Sequence, residues 1–93
     1  MSTEVTHNTD AQRYEISVDG ERVGIAEARD EGDVVVFHHT EVDERFEGRG
    51  LAGQLVSYAL EDVRAQGKKV RPTCVYVRGY IEKHPEFQDL RAE

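Results

Sequence analysis

Val34-Val35-Val36-Phe37-His38-His39-Thr40-Glu41-Val42-Asp43-Glu44-Arg45-Phe46-Glu47-Gly48-Arg49-Gly50-Leu51-Ala52-Gly53-Gln54-Leu55-Val56 is the stretch that decides how this chain folds. It opens on four consecutive apolar residues, the pattern of a strand covered on both faces and therefore central in its sheet. From Asp43 to Gly50 it is polar, charged and glycine-containing, a loop. At Leu51 the period changes. Leu51, Ala52, Leu55, Val56, Ala59, Leu60 and Val63 fall on one helical stripe, with Gln54, Ser57, Glu61, Asp62 and Arg64 mostly opposite. Gly67 stands where a C-terminal helix cap belongs. Lys69-Val70-Arg71-Pro72-Thr73-Cys74-Val75 supplies the next strand, which a right-handed crossover makes parallel to the long one. Pro72 donates no backbone hydrogen bond, so pairing has to fail locally there or that edge has to be unpaired.

Upstream, Arg13-Tyr14-Glu15-Ile16-Ser17-Val18 alternates polar and apolar residues, the period of a half-buried strand. Asp19-Gly20 is a two-residue hairpin signal because both positions need positive φ. The returning strand runs from Glu21 to Arg29, and Glu31-Gly32-Asp33 makes a second turn before Val34. Downstream, Val77, Tyr80, Ile81 and His84 form a short helical stripe stopped by Pro85, with Phe87 and Leu90 anchoring a final turn. The expected fold is α+β: a mixed sheet in which an antiparallel meander precedes a parallel strand–helix–strand crossover and a C-terminal helix. Residues 1–12 read as a flexible polar tail and residues 13–93 as a single domain. At this length roughly two-thirds of the extended surface can be buried, which suits a shallow cleft better than an enclosed site.

Bulk properties narrow the function classes. No apolar run approaches the eighteen or so residues of a spanning helix, and the first ten residues lack the basic and apolar regions of a signal peptide. A cytoplasmic location is the expectation. A formal net charge of −7 repels phosphate backbones, which disfavours nucleic acid as a partner. The same acidity keeps the chain soluble and suits a cationic substrate such as an amine. A single cysteine, Cys74, excludes an internal disulfide and any multi-cysteine zinc site. No metal is expected, since alternation sends His38 and His39 to opposite strand faces. A monomer or weak dimer is anticipated.

The chemistry gathers in the loop before the helix. Gly48 and Gly50 remove side chains where a backbone must approach something closely. The helix beyond it offers unpaired N–H groups and the positive end of its dipole, an anion site suited to phosphate oxygens. Arg45 and Arg49 add positive charge. The loop also lies at the C-terminal end of a central strand inside a parallel crossover, where ligands of open sheets bind.

Arg45-Phe46-Glu47-Gly48-Arg49-Gly50 matches the Arg/Gln-x-x-Gly-x-Gly/Ala signature of the GNAT superfamily of N-acetyltransferases, and Leu51-Ala52-Gly53-Gln54-Leu55-Val56 is similar to the helix that comes next there. Three blocks resemble a short single-domain GNAT-like subfamily: His39-Thr40-Glu41-Val42, Phe46 through Leu51, and Cys74 through Tyr80-Ile81-Glu82-Lys83-His84-Pro85-Glu86-Phe87. The likeness spans about residues 13 to 91. It implies acetyl-CoA as cosubstrate, and two parallel strands, Val34–Val42 and Val70–Val75, that splay to admit the pantetheine arm. It implies cofactor contacts from Val42, Arg45, Phe46, Glu47, Gly48, Arg49, Gly50, Leu51 and Ala52, with Cys74 and Tyr80 further along. Many family members protonate the leaving thiolate with a tyrosine on the helix that holds Tyr80. Alignment on Ile81-Glu82-Lys83 puts that position at Ile81, one residue away, and core packing is the other reading of Tyr80.

Acetyl transfer to an amine needs a base, a stabilised oxyanion and a proton for the thiolate. The resemblance implies a glutamate base early on the long strand, where this chain has Val34-Val35-Val36-Phe37. His39 and Glu41 share one strand face by alternation and are the replacement candidates, histidine titrating near neutrality. Their other reading is a strand ending at the surface. Cys74, near the end of the second splayed strand, is either a nucleophile for an acetyl-cysteine step or a small core residue. The expected function is an acetyl-CoA-dependent N-acetyltransferase acting on an unidentified amine, small molecule or protein. A non-catalytic acyl-CoA-binding or regulatory module and a plain protein-interaction domain are the alternatives.

Overall fold

A computed structural model of the chain describes residues 2–92. Five strands form one sheet in the order β1-β2-β3-β4-β5: β1 (Thr3–Asn8), β2 (Arg13–Val18), β3 (Glu21–Asp30), β4 (Val34–Val42) and β5 (Lys69–Pro72). The first four are antiparallel neighbours, and β5 runs parallel to β4. The helix α1 (Leu51–Ala65) makes the crossover, and α2 (Val75–Lys83) comes after β5. A 3₁₀ segment, Pro85–Leu90, completes the layer, with Phe87 and Leu90 buried. The expected α+β mixed sheet is therefore the observed one, with one strand more in its meander.

That extra strand corrects the reading of residues 1–12 as a flexible tail. Thr3–Asn8 pairs along its whole length with β2, Val5 opposite Ile16 and His7 opposite Tyr14. Its single aliphatic residue is Val5, so the alternation carries almost no hydrophobic signal. What holds β1 is His7, whose ring stacks on Tyr14 with centroids 4.1 Å apart. The Asn8 side chain also accepts from the Ala11 N–H at 3.1 Å, shaping the turn into β2.

The core lies on one face of the sheet. Leu51, Leu55, Val56, Ala59, Leu60 and Val63 of α1 pack with Val77 and Ile81 of α2 against Tyr14, Ile16, Ala26, Ala28 and Phe37. Fully burying a leucine or valine contributes about 1.5–3 kcal/mol, so this stripe fixes α1 across the strands. Gly24 is required by close approach, since a Cβ there would meet Ile16 Cγ2 at 2.9 Å and the Glu41 carbonyl at 3.1 Å. In the β2–β3 hairpin, Asp19 and Gly20 take φ of 50° and 88°, as its two-residue turn demands.

Two irregularities, one in β4 and one beside it, set the geometry of this part of the sheet. The β3–β4 register slips between Glu27 and Ala28, so Glu27 faces His39 while Ala28 faces Phe37. His38 is the extra residue of a bulge. Alternation therefore fails at this point: His38 and His39 both stand beside Glu27, instead of on opposite faces as the sequence suggested. The second irregularity is the early end of β5. The β4–β5 ladder stops at the Phe37–Pro72 pair.

Candidate active site

Beyond Phe37, β4 runs on to Val42 with no β5 partner. Pro72 has no N–H to extend the ladder. The next two N–H groups, of Thr73 and Cys74, both turn onto the Phe37 carbonyl, at 3.0 and 2.9 Å. This pair of hydrogen bonds to one acceptor pulls the chain out of the sheet and starts α2 at Val75. The strand expected to reach Val75 thus ends at Pro72, and Cys74 is the N-cap residue of α2 instead of a strand residue.

The gap so opened is a cleft of about 370 Å³, walled by Thr40 and Val42 of β4, by Phe46, Glu47, Gly48 and Gly50 of the loop, by Leu51, Ala52 and Gly53 of α1, and by Tyr76 of α2. Asp43 braces the loop, its carboxylate accepting from the Arg45 N–H at 2.9 Å at the head of a 3₁₀ turn, Glu44–Phe46. Gly48 and Gly50 then take φ of 81° and 76°, the left-handed region that glycine enters without strain. A Cβ on either would meet no atom within 4 Å. These glycines serve the backbone path more than close packing. Gly50 is the N-cap of α1, and no described side chain caps that helix. The first-turn N–H groups of Leu51, Ala52 and Gly53 are accordingly left to whatever enters the cleft.

The nominated residues divide into three groups. Val42, Phe46, Glu47, Gly48, Gly50, Leu51 and Ala52 come together in the cleft. Cys74 and Tyr80 border it: the Cys74 thiol lies 3.5 Å from the Thr40 hydroxyl, and a Tyr80 ring carbon lies 3.7 Å from where a Gly53 Cβ would stand. His39, Glu41, Arg45 and Arg49 do not line it. His39 and Glu41 do share a face, with Nε2 and Oε1 3.2 Å apart. Strand alternation puts that face away from Thr40, Val42 and α1, on the open side of the sheet.

Arg45, expected to add positive charge for an anion, stands outside the cleft lining and is paired with acidic side chains. Its guanidinium grips Asp43 through two nitrogens and reaches Glu21 at 2.8 Å, which raises its own pKa and holds the Asp43 carboxyl below its usual range. Arg49 lies over the Phe46 ring at 5.1 Å. Beside these two side chains the loop leads into the main-chain amides at the head of α1.

Three cleft residues escaped the sequence reading: Thr40, Gly53 and Tyr76. Thr40 follows from alternation with Val42, and Gly53 extends the glycine spacing by one helical turn. Tyr76 was hidden because Val75-Tyr76-Val77 looks like strand. Burial, followed by the neighbouring Tyr80, raises the Tyr76 phenol pKa, so its hydroxyl keeps a proton to give. Among the described residues no cluster of histidine, cysteine and carboxylates is arranged to hold a metal.

This architecture recurs in known proteins. A GCN5-like protein from Staphylococcus aureus superposes with a TM-score of 0.73 at 19% identity, covering 96% of this chain and 87% of its own. The ribosomal-protein-S18-alanine N-acetyltransferase of Escherichia coli does so with a TM-score of 0.67 at 13% identity, over 76% of this chain and 49% of that one. At such identities the likeness is one of fold. In sequence, Protein NATD1 of Gallus gallus and of Homo sapiens are each 37% identical over 57 residues, 61% of this chain. The chain spans about half the length of these relatives, 52% and 50%. The family model of the GCN5-related N-acetyl-transferases matches residues 13–90, from the start of β2 to the end of the last 3₁₀ segment, and the chain belongs to that family.

Proposed function

We propose that the chain transfers the acetyl group of acetyl-CoA to the amino group of a small molecule or protein. One observation carries this reading: the β4–β5 ladder ends at Phe37–Pro72 beside a helix N-terminus that no described side chain caps. The gap suits a slender pantetheine arm and the amides suit a diphosphate, so the residues present fit acetyl-CoA on both counts.

Leu51, Ala52 and Gly53 hold the diphosphate through their N–H groups. Thr40 and Val42 line the arm's path toward Cys74. The Cys74 sulfur attacks the acetyl carbonyl carbon, the carbon–sulfur bond to coenzyme A breaks, and acetyl-Cys74 forms. The Cys74 thiol gives its proton to water as it attacks, Tyr76 hands its own to the departing thiolate, and the phenol then regains a proton from water, so the step is proton-neutral. The amine then approaches from the open face of the sheet, where His39, oriented by Glu41, takes its proton. Nitrogen attack on acetyl-Cys74 releases the amide and restores the thiol. The chain's acidity favours a cationic acceptor.

Calorimetry with acetyl-CoA tests the binding half of this reading, and intact-mass measurement of Cys74 after incubation tests the chemical half. Saturable heat together with an acetyl adduct supports it. Absence of heat at millimolar ligand removes it, and heat without adduct or transfer selects the non-catalytic acyl-CoA module.

A further inference from the structure

β1 stands at one end of the sheet order, with β2 as its neighbour there. Two hydrogen bonds fix which of its main-chain groups that neighbour uses. The Asp19 N–H donates to the Ser2 carbonyl at 2.7 Å, directly across the ladder, so by alternation Glu4, Thr6 and Asn8 bond β2. The Ala28 N–H donates to the Gln12 carbonyl at 2.9 Å, which commits Gln12 and Tyr14 to β3 and leaves Arg13 and Glu15 to β1. The two assignments agree. The N–H and C=O groups of Thr3, Val5 and His7 therefore point outward, away from the sheet.

Sheet edges are commonly guarded by lysine, proline, a bulge or a covering segment. The opposite edge has such a cover: Arg91 bridges to Val70, and the Ala92 N–H donates to the Val70 carbonyl at 2.8 Å. β1 contains no lysine or proline, and its register with β2 is unbroken. Its outward groups also complement themselves. About a two-fold axis at Val5, Val5 of one copy faces Val5 of another and Thr3 faces His7, so all three outward residues are bonded. A slip of two residues leaves one of them outside. The side chains agree with that register. Val5 packs against the core and meets its own copy on the same face. On the other face Glu4, the strand's one carboxylate, stands opposite Thr6, so no like charges face each other directly. Above the core face, the α1 row that carries Asp62, 3.5 Å from His7, also carries Tyr58, a large ring left 46% exposed.

We propose that two copies of this chain join β1 to β1, antiparallel about Val5, into one sheet that continues from β5 of one copy to β5 of the other. Main-chain hydrogen bonds hold the seam, the two Val5 side chains extend the core across it, and Tyr58 gains cover. The cleft beside β4 lies toward the far end of each half, so the pairing leaves both clefts open and is independent of the acetyl-CoA reading.

Sedimentation velocity on the full chain tests the pairing. Wild type is expected to climb from the mass of one chain towards two between about 10 μM and 1 mM. Val5→Pro removes an outward N–H and no bond to β2, so it is expected to keep the folded far-ultraviolet spectrum and stay monomeric throughout. The register is read separately, by cysteines introduced in a Cys74→Ala background. Val5→Cys puts two thiols at the axis with Cα atoms about 5.5 Å apart, and they are expected to cross-link under mild oxidation. Thr3→Cys puts its two Cα atoms about 14 Å apart, beyond reach of a disulfide, and is expected to stay uncross-linked. A one-chain mass at about 1 mM, a dimer that persists in Val5→Pro, or equal cross-linking of the two cysteine variants would each overturn the pairing, whatever the cleft binds.

Discussion

The N–H of Cys74 donates to the carbonyl of Phe37 at 2.9 Å, and this bond separates the closed half of the β4–β5 pair from the open half. Before it, Val34 to Phe37 pair in register with Lys69 to Pro72. After it, Thr40 and Val42 face a cleft where further pairs would have stood. The same turn that ends the strand lifts the Cys74 thiol to within 3.5 Å of the Thr40 hydroxyl. Strand termination and placement of the candidate nucleophile are thus one structural event.

Cys74→Ala is the first test. The side chain is half-buried and makes one weak polar contact, so its truncation is expected to leave the fold intact and cost about 1 kcal/mol or less. Acetyl-CoA affinity should change less than about threefold, because the diphosphate amides lie on α1. The acetyl adduct should vanish from the intact-mass spectrum and amine acetylation should fall by about a hundredfold or more. Undiminished transfer in Cys74→Ala would exclude the covalent route.

His39→Ala separates the two half-reactions. His39 is hydrogen-bonded to Glu41 on the open face, away from the cleft, so it touches neither the diphosphate amides nor the first attack. Acetyl-Cys74 should form at the wild-type rate, and its discharge to amine should slow by about a hundredfold, the usual weight of one general base. Single-turnover mass spectrometry reads both rates. Slowed acylation with normal discharge would place the histidine in the other step.

Tyr14 links stability to alkaline pH. Its hydroxyl donates to Asp62 at 2.6 Å from a buried position, and burial followed by the Asp62 carboxylate raises the phenol pKa. The folded value lies above the unfolded value of about 10. The contribution is therefore complete below about pH 10 and is lost as pH climbs through the folded value. Tyr14→Phe should be less stable by about 1 kcal/mol at neutral pH, and its deficit relative to wild type should shrink above about pH 10. Urea unfolding across that range checks both, and a constant deficit would remove the linkage.

Where periodicity was strong, the fold was legible. The alternation of β2 and the apolar stripe of α1 left no competing assignment. β1 escaped because its anchor is His7 against Tyr14, an aromatic stack that looks polar in one dimension. The bulge at His38 left no mark on the sequence, since nothing in two adjacent histidines says that both will stand beside Glu27. In the site, the glycine loop was readable because positive φ selects glycine. The fate of Arg45 was not, because Glu21, which helps neutralise it, is brought there by the meander. Pro72 announced a fault in the ladder, but where the chain went next depended on the Phe37 carbonyl.

Gly50 offers a test in which folding and binding can be read apart. Its φ of 76° and ψ of 13° place the α1 N-cap in the left-handed region, and a Cβ there would meet nothing within 4 Å. The cost of Gly50→Ala is therefore conformational, about 1 kcal/mol of stability by urea unfolding. Asparagine tolerates that region better than alanine, so Gly50→Asn should lie closer to wild type in stability. Its amide, however, stands beside the first-turn N–H groups and competes with a diphosphate for them. Acetyl-CoA affinity is accordingly expected to drop about tenfold in Gly50→Asn despite the smaller loss of stability, a dissociation that a purely structural glycine would not produce. If affinity in the two variants instead tracks their stabilities, Gly50 shapes the loop and the α1 amides are not where the anion binds.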